Sequence, residues 1–332
     1  MRIRGLRAWC TARGRGQFAL TLTTVVMLTC ACGALVVLPN FALPEIRAAQ
    51  PASAQSLGQA AADDPRLATV RRILEPFGAI DTERIATGDG QESLVVGHGN
   101  GQAEMAVLGD ELPRAVAAVT ELWGPRWPRS AMIVVAGNAS EFAALVRAGS
   151  LLPGEVAAVT VTDPFAPGTM PTGQRVVFSP DAGARLTPDQ LRTLLRHELT
   201  HVATRAVTVD GAARWMLEGF AEYAAHRARG HRFGDIAPTV AARIRAGELP
   251  TGLPADADFA GSRAAETYES AWSACAFVAE KYGEADLVEL YRAIAAGPAD
   301  SVAQDRMLRE VLGTDTAEFV TRWREWLSAQ PR

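Results

Sequence analysis

The chain has 332 residues, 48% of them hydrophobic, and a formal net charge of −4. That is enough apolar material for one folded core or two, and the acid surplus argues against nucleic-acid binding, which as a rule needs a basic excess. Cys10, Cys30 and Cys32 crowd the N-terminus and leave Cys275 alone in the rest, so packing, with or without a metal, has to hold that part together.

Residues 1–16 form a basic tail with Arg2, Arg4, Arg7, Arg13 and Arg15 and no acid. Residues 17–39, QFALTLTTVVMLTCACGALVVLP, are almost uncharged and apolar. At about 1.5 Å per residue, such a helix reaches across the roughly 30 Å hydrocarbon core of a bilayer. The expectation is a single transmembrane anchor, with the arginines in the cytoplasm and everything after Pro39 outside. The alternative is a signal segment cleaved at Ala52-Ser53-Ala54, which would release a secreted protein, but that site lies well beyond the apolar run. The cysteines at 30 and 32 match a lipid-anchor context poorly. Residues 40–63, rich in Ala, Pro, Gln and Ser, read as a flexible linker.

From residue 64 to 332 the pattern is globular. ESLVVGHGNGQAEMAVLG reads as two short strands around a Gly/Asn turn, followed by a helix over DELPRAVAAVTELWG. AMIVVAG is a buried strand, ASEFAALVRAG a short helix with Ser140 as its cap, and GEVAAVTVTD and QRVVFSP are two more strands. Thereafter the chain is helix upon helix. Thr187, Pro188 and Gln190 are spaced as N-cap, first helical residue and capping-box partner. The helix they open runs to about Arg205. AARWMLEGFAEYAAHRARG is a second helix, ended by Gly230, and AETYESAWSACAFVAEKYG, EADLVELYRAIAAG and DTAEFVTRWREWLSAQ are three more. Strands first and helices second predict an α+β fold, a small mixed sheet with a helical lobe.

The first long helix carries LLRHELTHVATRAV, with His197, Glu198 and His201 in the arrangement H-E-x-x-H. Residues four apart share a helix face, so both imidazoles can aim at one point, and Glu198, rotated about 100° from His197, can reach a water held there. Zn2+ takes such ligands tetrahedrally, and a catalytic site keeps one position open. An amphipathic helix with two exposed histidines is the plain alternative. A third ligand is required, and WMLEGFAEY offers Glu218, with Glu222 four residues on as the competitor. Glu218 is flanked by Trp215, Met216, Leu217 and Phe220, and a carboxylate in apolar surroundings needs a partner, for which a cation is suited. Gly219 in mid-helix costs about 1 kcal/mol relative to Ala, which suggests that something approaches closely there.

HELTH followed by WMLEGFAEY resembles the gluzincin metallopeptidases, in which H-E-x-x-H is followed by W-L-x-E-G-x-A-x-Y. It is similar in particular to the bacterial peptidase MA-like group, whose strand-rich first half and later helix ending in YG are matched by TYESAWSACAFVAEKYG. The resemblance is specific over about 187–225 and weaker over about 110–297. It implies a zincin-like fold, Zn2+ as cofactor, His197, His201 and Glu218 as metal ligands and Glu198 as the catalytic base. The gap from His201 to Glu218 is shorter than in the aminopeptidase branch, which leaves Glu222 open as the third ligand, and no G-x-M-E-N-like segment is present. The metzincin continuation fails, because Thr204 and Val207 stand where Gly and His would be needed.

The expected protein is therefore a membrane-anchored, extracytoplasmic zinc metallopeptidase acting on peptide or protein substrates, with the membrane as a partner through residues 17–39. A non-catalytic zincin-fold binding module and a cell-wall peptide hydrolase are the alternatives. Peptide hydrolysis also needs an electrophile at the carbonyl oxygen. Tyr268, His226 and His231 are candidates, and the resemblance points to Tyr268. QRVVFS is expected to be the edge strand that holds an extended peptide, and Asp210 and Glu222 are candidates for orienting the histidines.

Overall fold

The computed structural model of the chain describes residues 64–148, 156–165, 169–298 and 300–330. The expected apolar anchor and linker lie outside these residues, and among the described residues no helix is long and apolar enough to cross a membrane. The described residues fall into two compact units, one within residues 64–148 and 158–210, the other from 211 to 330 together with 156–157.

The first unit is built on a five-stranded sheet in the order β1-β2-β3-β5-β4. Strands β1 (Asp81–Gly88) and β2 (Gln91–Gly97) form an antiparallel hairpin. Its turn is Asp89-Gly90, with φ of 50° and 72°, the left-handed pair that an Asp-Gly turn supplies at low cost. Helix α1 (Ala68–Leu74) precedes the hairpin, and helix α2 (Gln102–Trp123) follows it. QAEMAVLG is therefore the start of a 22-residue helix and not the predicted second strand. Met105, Leu108, Leu112, Ala115, Val119 and Leu122 recur at helical spacing and are all buried, and Pro113 is accommodated inside the helix.

Strand β3 (Met132–Val135) lies parallel to β2 and to β5 (Arg175–Phe178), while β4 (Ala158–Val161) runs antiparallel to β5. Every residue of β3 and β5 is buried. The edge strand on this side is β4, so QRVVFS is interior, paired on both sides. Its uniformly apolar Val-Val-Phe is the composition of a strand covered on both faces, which the expectation of an edge overlooked. Helix α3 (Ala139–Leu145) is capped by Asn138, whose side chain accepts from the amides of Ser140 and Glu141 at 3.0 Å, and Ser140 is not the cap. Arg175 donates to the Leu145 carbonyl at the end of α3, at 2.6 Å from Nη2. Burial pulls its guanidinium down to about 10.

After the short helix α4 (Ala182–Arg185) comes α5 (Pro188–Thr204), which opens with the predicted capping box. The Thr187 hydroxyl accepts from the Gln190 amide at 3.3 Å, and the Gln190 side chain accepts from the Thr187 amide at 2.8 Å. Helix α5 packs against α2, β4 and β5, burying Leu191, Leu194, Leu195, Leu199 and Val202. Arg196 fastens it to α2 through Glu111, with Nη2 to Oε1 at 2.6 Å.

The second unit is helical: α6 (Arg214–His226), α7 (Phe233–Ile236), α8 (Pro238–Arg245), α9 (Ala264–Lys281), α10 (Glu284–Ala295), α11 (Ser301–Leu312) and α12 (Thr316–Ser328). Helix α9 is its axis and packs against α6, α8, α10 and α12. Helix α6 stops at His226, short of the predicted Gly230, because Arg227 turns extended and Ala228 turns left-handed. Gly219 has the role its mid-helix position suggests. A Cβ there would lie 2.4 Å from the Ala271 carbonyl oxygen and 2.9 Å from Cys275 Sγ, so the glycine lets α6 and α9 meet at backbone distance. Cys275 is fully buried, and burial pushes its thiol far above the usual range, as expected of a packing residue.

Candidate metal centre and catalytic base

His197, Glu198 and His201 are presented by one face of α5. The capping box fixes where that helix begins, and its leucine stripe fixes how it is turned against the sheet. His197 is 1% exposed and Glu198 0%, while His201 is half-buried. The Nε2 atoms of the two histidines stand 3.0 Å apart, with ring centroids 4.8 Å apart and planes crossing at 76°. Two nitrogens bound tetrahedrally to one zinc ion at ordinary bond lengths lie about 3.3 Å apart, so this pair is already close to sharing one cation. The two Nε2 atoms turned towards each other fit the group that the spacing implies. An amphipathic helix with two exposed histidines is not what the protein has.

Glu198 accepts a hydrogen bond on Oε2 from the hydroxyl of Thr160, in β4, at 2.6 Å. Its Oε1 has no hydrogen-bond partner among the described residues. A fully buried carboxylate oxygen without a donor is costly, and it is the arrangement expected where a water or a reacting proton belongs. Thr160 was not singled out in the sequence. A threonine in a run of valines carries no signal of its own, and its position depends on β4 lying beside α5.

The other candidates, Asp210 apart, belong to the second unit. Glu218 is 2% exposed on α6, among Trp215, Met216 and Phe220, which are fully or almost fully buried, while Leu217 is half-buried. Glu222, one turn on, is 9% exposed, and its Oε2 is 3.5 Å from His226 Nε2. His226 and His231 face each other, with Nδ1 to Nδ1 at 3.0 Å and one nitrogen donating to the other. Tyr268, near the start of α9, is 1% exposed, and its ring packs edge-on against Phe259 at 4.9 Å. Asp210, in the first unit, is largely exposed and pairs with Arg205 at 3.2 Å. A pocket of about 280 Å3 in the second unit is lined in part by Arg243, Glu248, Arg263, Glu266 and Ser270 and contains none of the predicted site residues. Its arginines are already answered, Arg243 by Glu248 and Glu266 and Arg263 by Asp258.

No protein-family model matches the chain, and no curated protein matches it. Solved structures similar to it include M1 zinc metallopeptidases. One is the M1 zinc metallopeptidase from Deinococcus radiodurans, at 17% identity and a TM-score of 0.45, the match covering 76% of this chain and 54% of that one. A variant of that protein bound to a Tyr-Ser-Ala substrate matches at 18% identity and a TM-score of 0.43, covering 76% and 54%. A two-domain M1 zinc metallopeptidase variant bound to L-arginine matches at 17% and 0.42, covering 76% and 53%. The chain thus spans about half the length of these structures, and a likeness this remote fixes neither its fold nor its activity.

Proposed function

We propose that the chain is a zinc metallopeptidase of gluzincin type that hydrolyses peptide bonds. The observation that carries this reading is the pair of facing Nε2 atoms of His197 and His201, 3.0 Å apart on one helix, with the buried carboxylate of Glu198 beside them. His197, His201 and Glu218 are the proposed ligands, two imidazoles and a carboxylate of the kind zinc accepts. Zinc held there would act as a Lewis acid and bring the pKa of a water near neutrality. Glu198 would take the proton of the attacking water and pass it to the leaving amine as the carbon–nitrogen bond breaks. Tyr268 is the proposed donor to the carbonyl oxygen. With the edge reassigned, β4 is the strand on which an extended peptide is proposed to pair. The anchored, extracytoplasmic setting is part of the same proposal and rests on residues 1–39.

The test is the metal content of the full chain together with hydrolysis of a quenched-fluorescent, mixed-sequence peptide. About one zinc per chain, and activity that disappears in Glu198→Gln while zinc remains, is the expected result. A folded protein that takes up no zinc would end the reading. A zinc-bound protein whose biological role survives Glu198→Gln would make it a binding module.

A further inference from the structure

The two oxygens of the Glu198 carboxylate are not equivalent. The Thr160 hydroxyl is 2.6 Å from Oε2 and 3.1 Å from the Glu198 backbone oxygen. It carries one hydrogen, and the shorter contact is to the charged acceptor, where such bonds are stronger. Oε1 receives no hydrogen bond from the described residues although the side chain is 0% exposed. The terminal torsion of a glutamate is broad and roughly two-fold, so an unrestrained carboxylate presents either oxygen at a range of angles. A donor on one oxygen removes that freedom.

The donor comes from a strand and not from a loop. Thr160 lies in β4, opposite Val176 of β5, with the buried Val159 and Val161 on either side of it. Strand alternation sends those two side chains to one face and Thr160 to the other. The pairing with β5 sets the height of the hydroxyl along α5. A carboxylate held from a rigid element keeps its orientation better than one held from a mobile segment.

We propose that Thr160 is a positioning residue, whose hydroxyl anchors Oε2 of Glu198 and so reserves Oε1 as the atom that accepts and returns the proton. This rests on the proposed role of Glu198 as base. In the first half of the reaction, the water's O–H bond breaks, its proton goes to Oε1, and its oxygen bonds to the peptide carbonyl carbon. In the second half, the Oε1–H bond breaks as the amine nitrogen takes the proton and the peptide carbon–nitrogen bond is cleaved. Glu198 ends as it began, and Thr160 keeps its own proton throughout.

The experiment compares Thr160→Val, which keeps the shape and removes the hydroxyl, with Thr160→Ser, which keeps the hydroxyl, both in the full chain loaded with zinc. On the quenched-fluorescent mixed-sequence peptide, Thr160→Val should lose about 10- to 100-fold in kcat, with KM and zinc content within about twofold, because a base misplaced by about 1 Å costs of that order. Thr160→Ser should recover most of the rate. A Thr160→Val enzyme with parental kcat, or a loss that Thr160→Ser shares in full, overturns the assignment. A second readout needs no substrate. In urea unfolding of the zinc-free chain, Thr160→Val and Glu198→Leu should shift the midpoint by less in combination than the sum of their separate shifts, because one bond is being removed twice. Additive shifts would remove the anchor whatever the activity. Coupled shifts in a chain that hydrolyses nothing, even with zinc bound, would retain the contact but overturn its role in catalysis, along with the peptidase reading.

Discussion

Glu218 and Glu222 sit one turn apart on the same helix, and their surroundings differ. Glu222 has His226 at 3.5 Å, a turn further along, so an imidazole already stands beside it. Glu218 is more deeply buried, among aromatic and apolar side chains. The expected outcome is that Glu218→Ala abolishes stoichiometric zinc binding, as metal analysis would show, while Glu222→Ala retains it; the reverse would exchange their roles. At Glu198 the chemistry and the burial can be separated. Substituting Gln leaves an oxygen to accept from Thr160 and removes the basic function. Hydrolysis should fall by about 10²- to 10⁴-fold with thermal midpoint and zinc content close to parental.

At the scale of elements, two sequence signals set the site helix and the helix that follows it in the chain, and each can be tested alone. Thr187 starts α5 with a reciprocal cap, and Thr187→Ala should cost about 1 kcal/mol in urea unfolding. Gly219 is the crossing point of α6 and α9. Elsewhere in a helix, Gly→Ala stabilises by about 1 kcal/mol. Here the new methyl would meet the Ala271 carbonyl oxygen at 2.4 Å, so Gly219→Ala should destabilise by about 1–3 kcal/mol. A stabilised variant in thermal unfolding would show that the helices separate at little cost. The misassigned second strand is instructive at the same scale. QAEMAVLG is short and apolar enough to suit a strand, and the Gly/Asn stretch before it suggested a hairpin turn. The spacing of Met105, Leu108 and Leu112, carried on to Leu122, is what makes it one element. The Asp89-Gly90 turn, the stronger hairpin signal, lay just upstream.

On the scale of the whole molecule, burial shifts two carboxyls, one in each unit. Glu104 accepts from the Gly183 amide at 3.0 Å, and Glu269 accepts from the Val240 amide at 2.7 Å, at the start of α8. Loss of hydration outweighs these bonds and pushes both from 4.5 up to about 7. The folded state therefore holds protons that the unfolded chain has released between about pH 4.5 and 7. Stability should be greatest near or below pH 4.5 as far as these two groups are concerned. It falls as pH rises to about 7 and levels off above, with a loss on the order of 3 kcal/mol for each. Thermal midpoints measured between pH 5 and 8 should show the decline, and Glu104→Gln with Glu269→Gln should flatten it. An unchanged slope in the double variant would assign the effect to other groups.

The capping box, the helix carrying His197, Glu198 and His201, the helix that follows it and the need for Gly219 could all be read from the chain. Each depends on contacts within one element or on a pattern that repeats along it, and local geometry turns such patterns into structure. Which strand forms the edge, which hydroxyl reaches Glu198, and that Glu218 lies deeper than Glu222 could not be read in this way. These depend on pairings between residues far apart in sequence, such as Thr160 with Glu198. A single threonine among valines looks the same on an interior strand as on an edge. Only the packing of β4 beside α5 makes it the residue that holds the base.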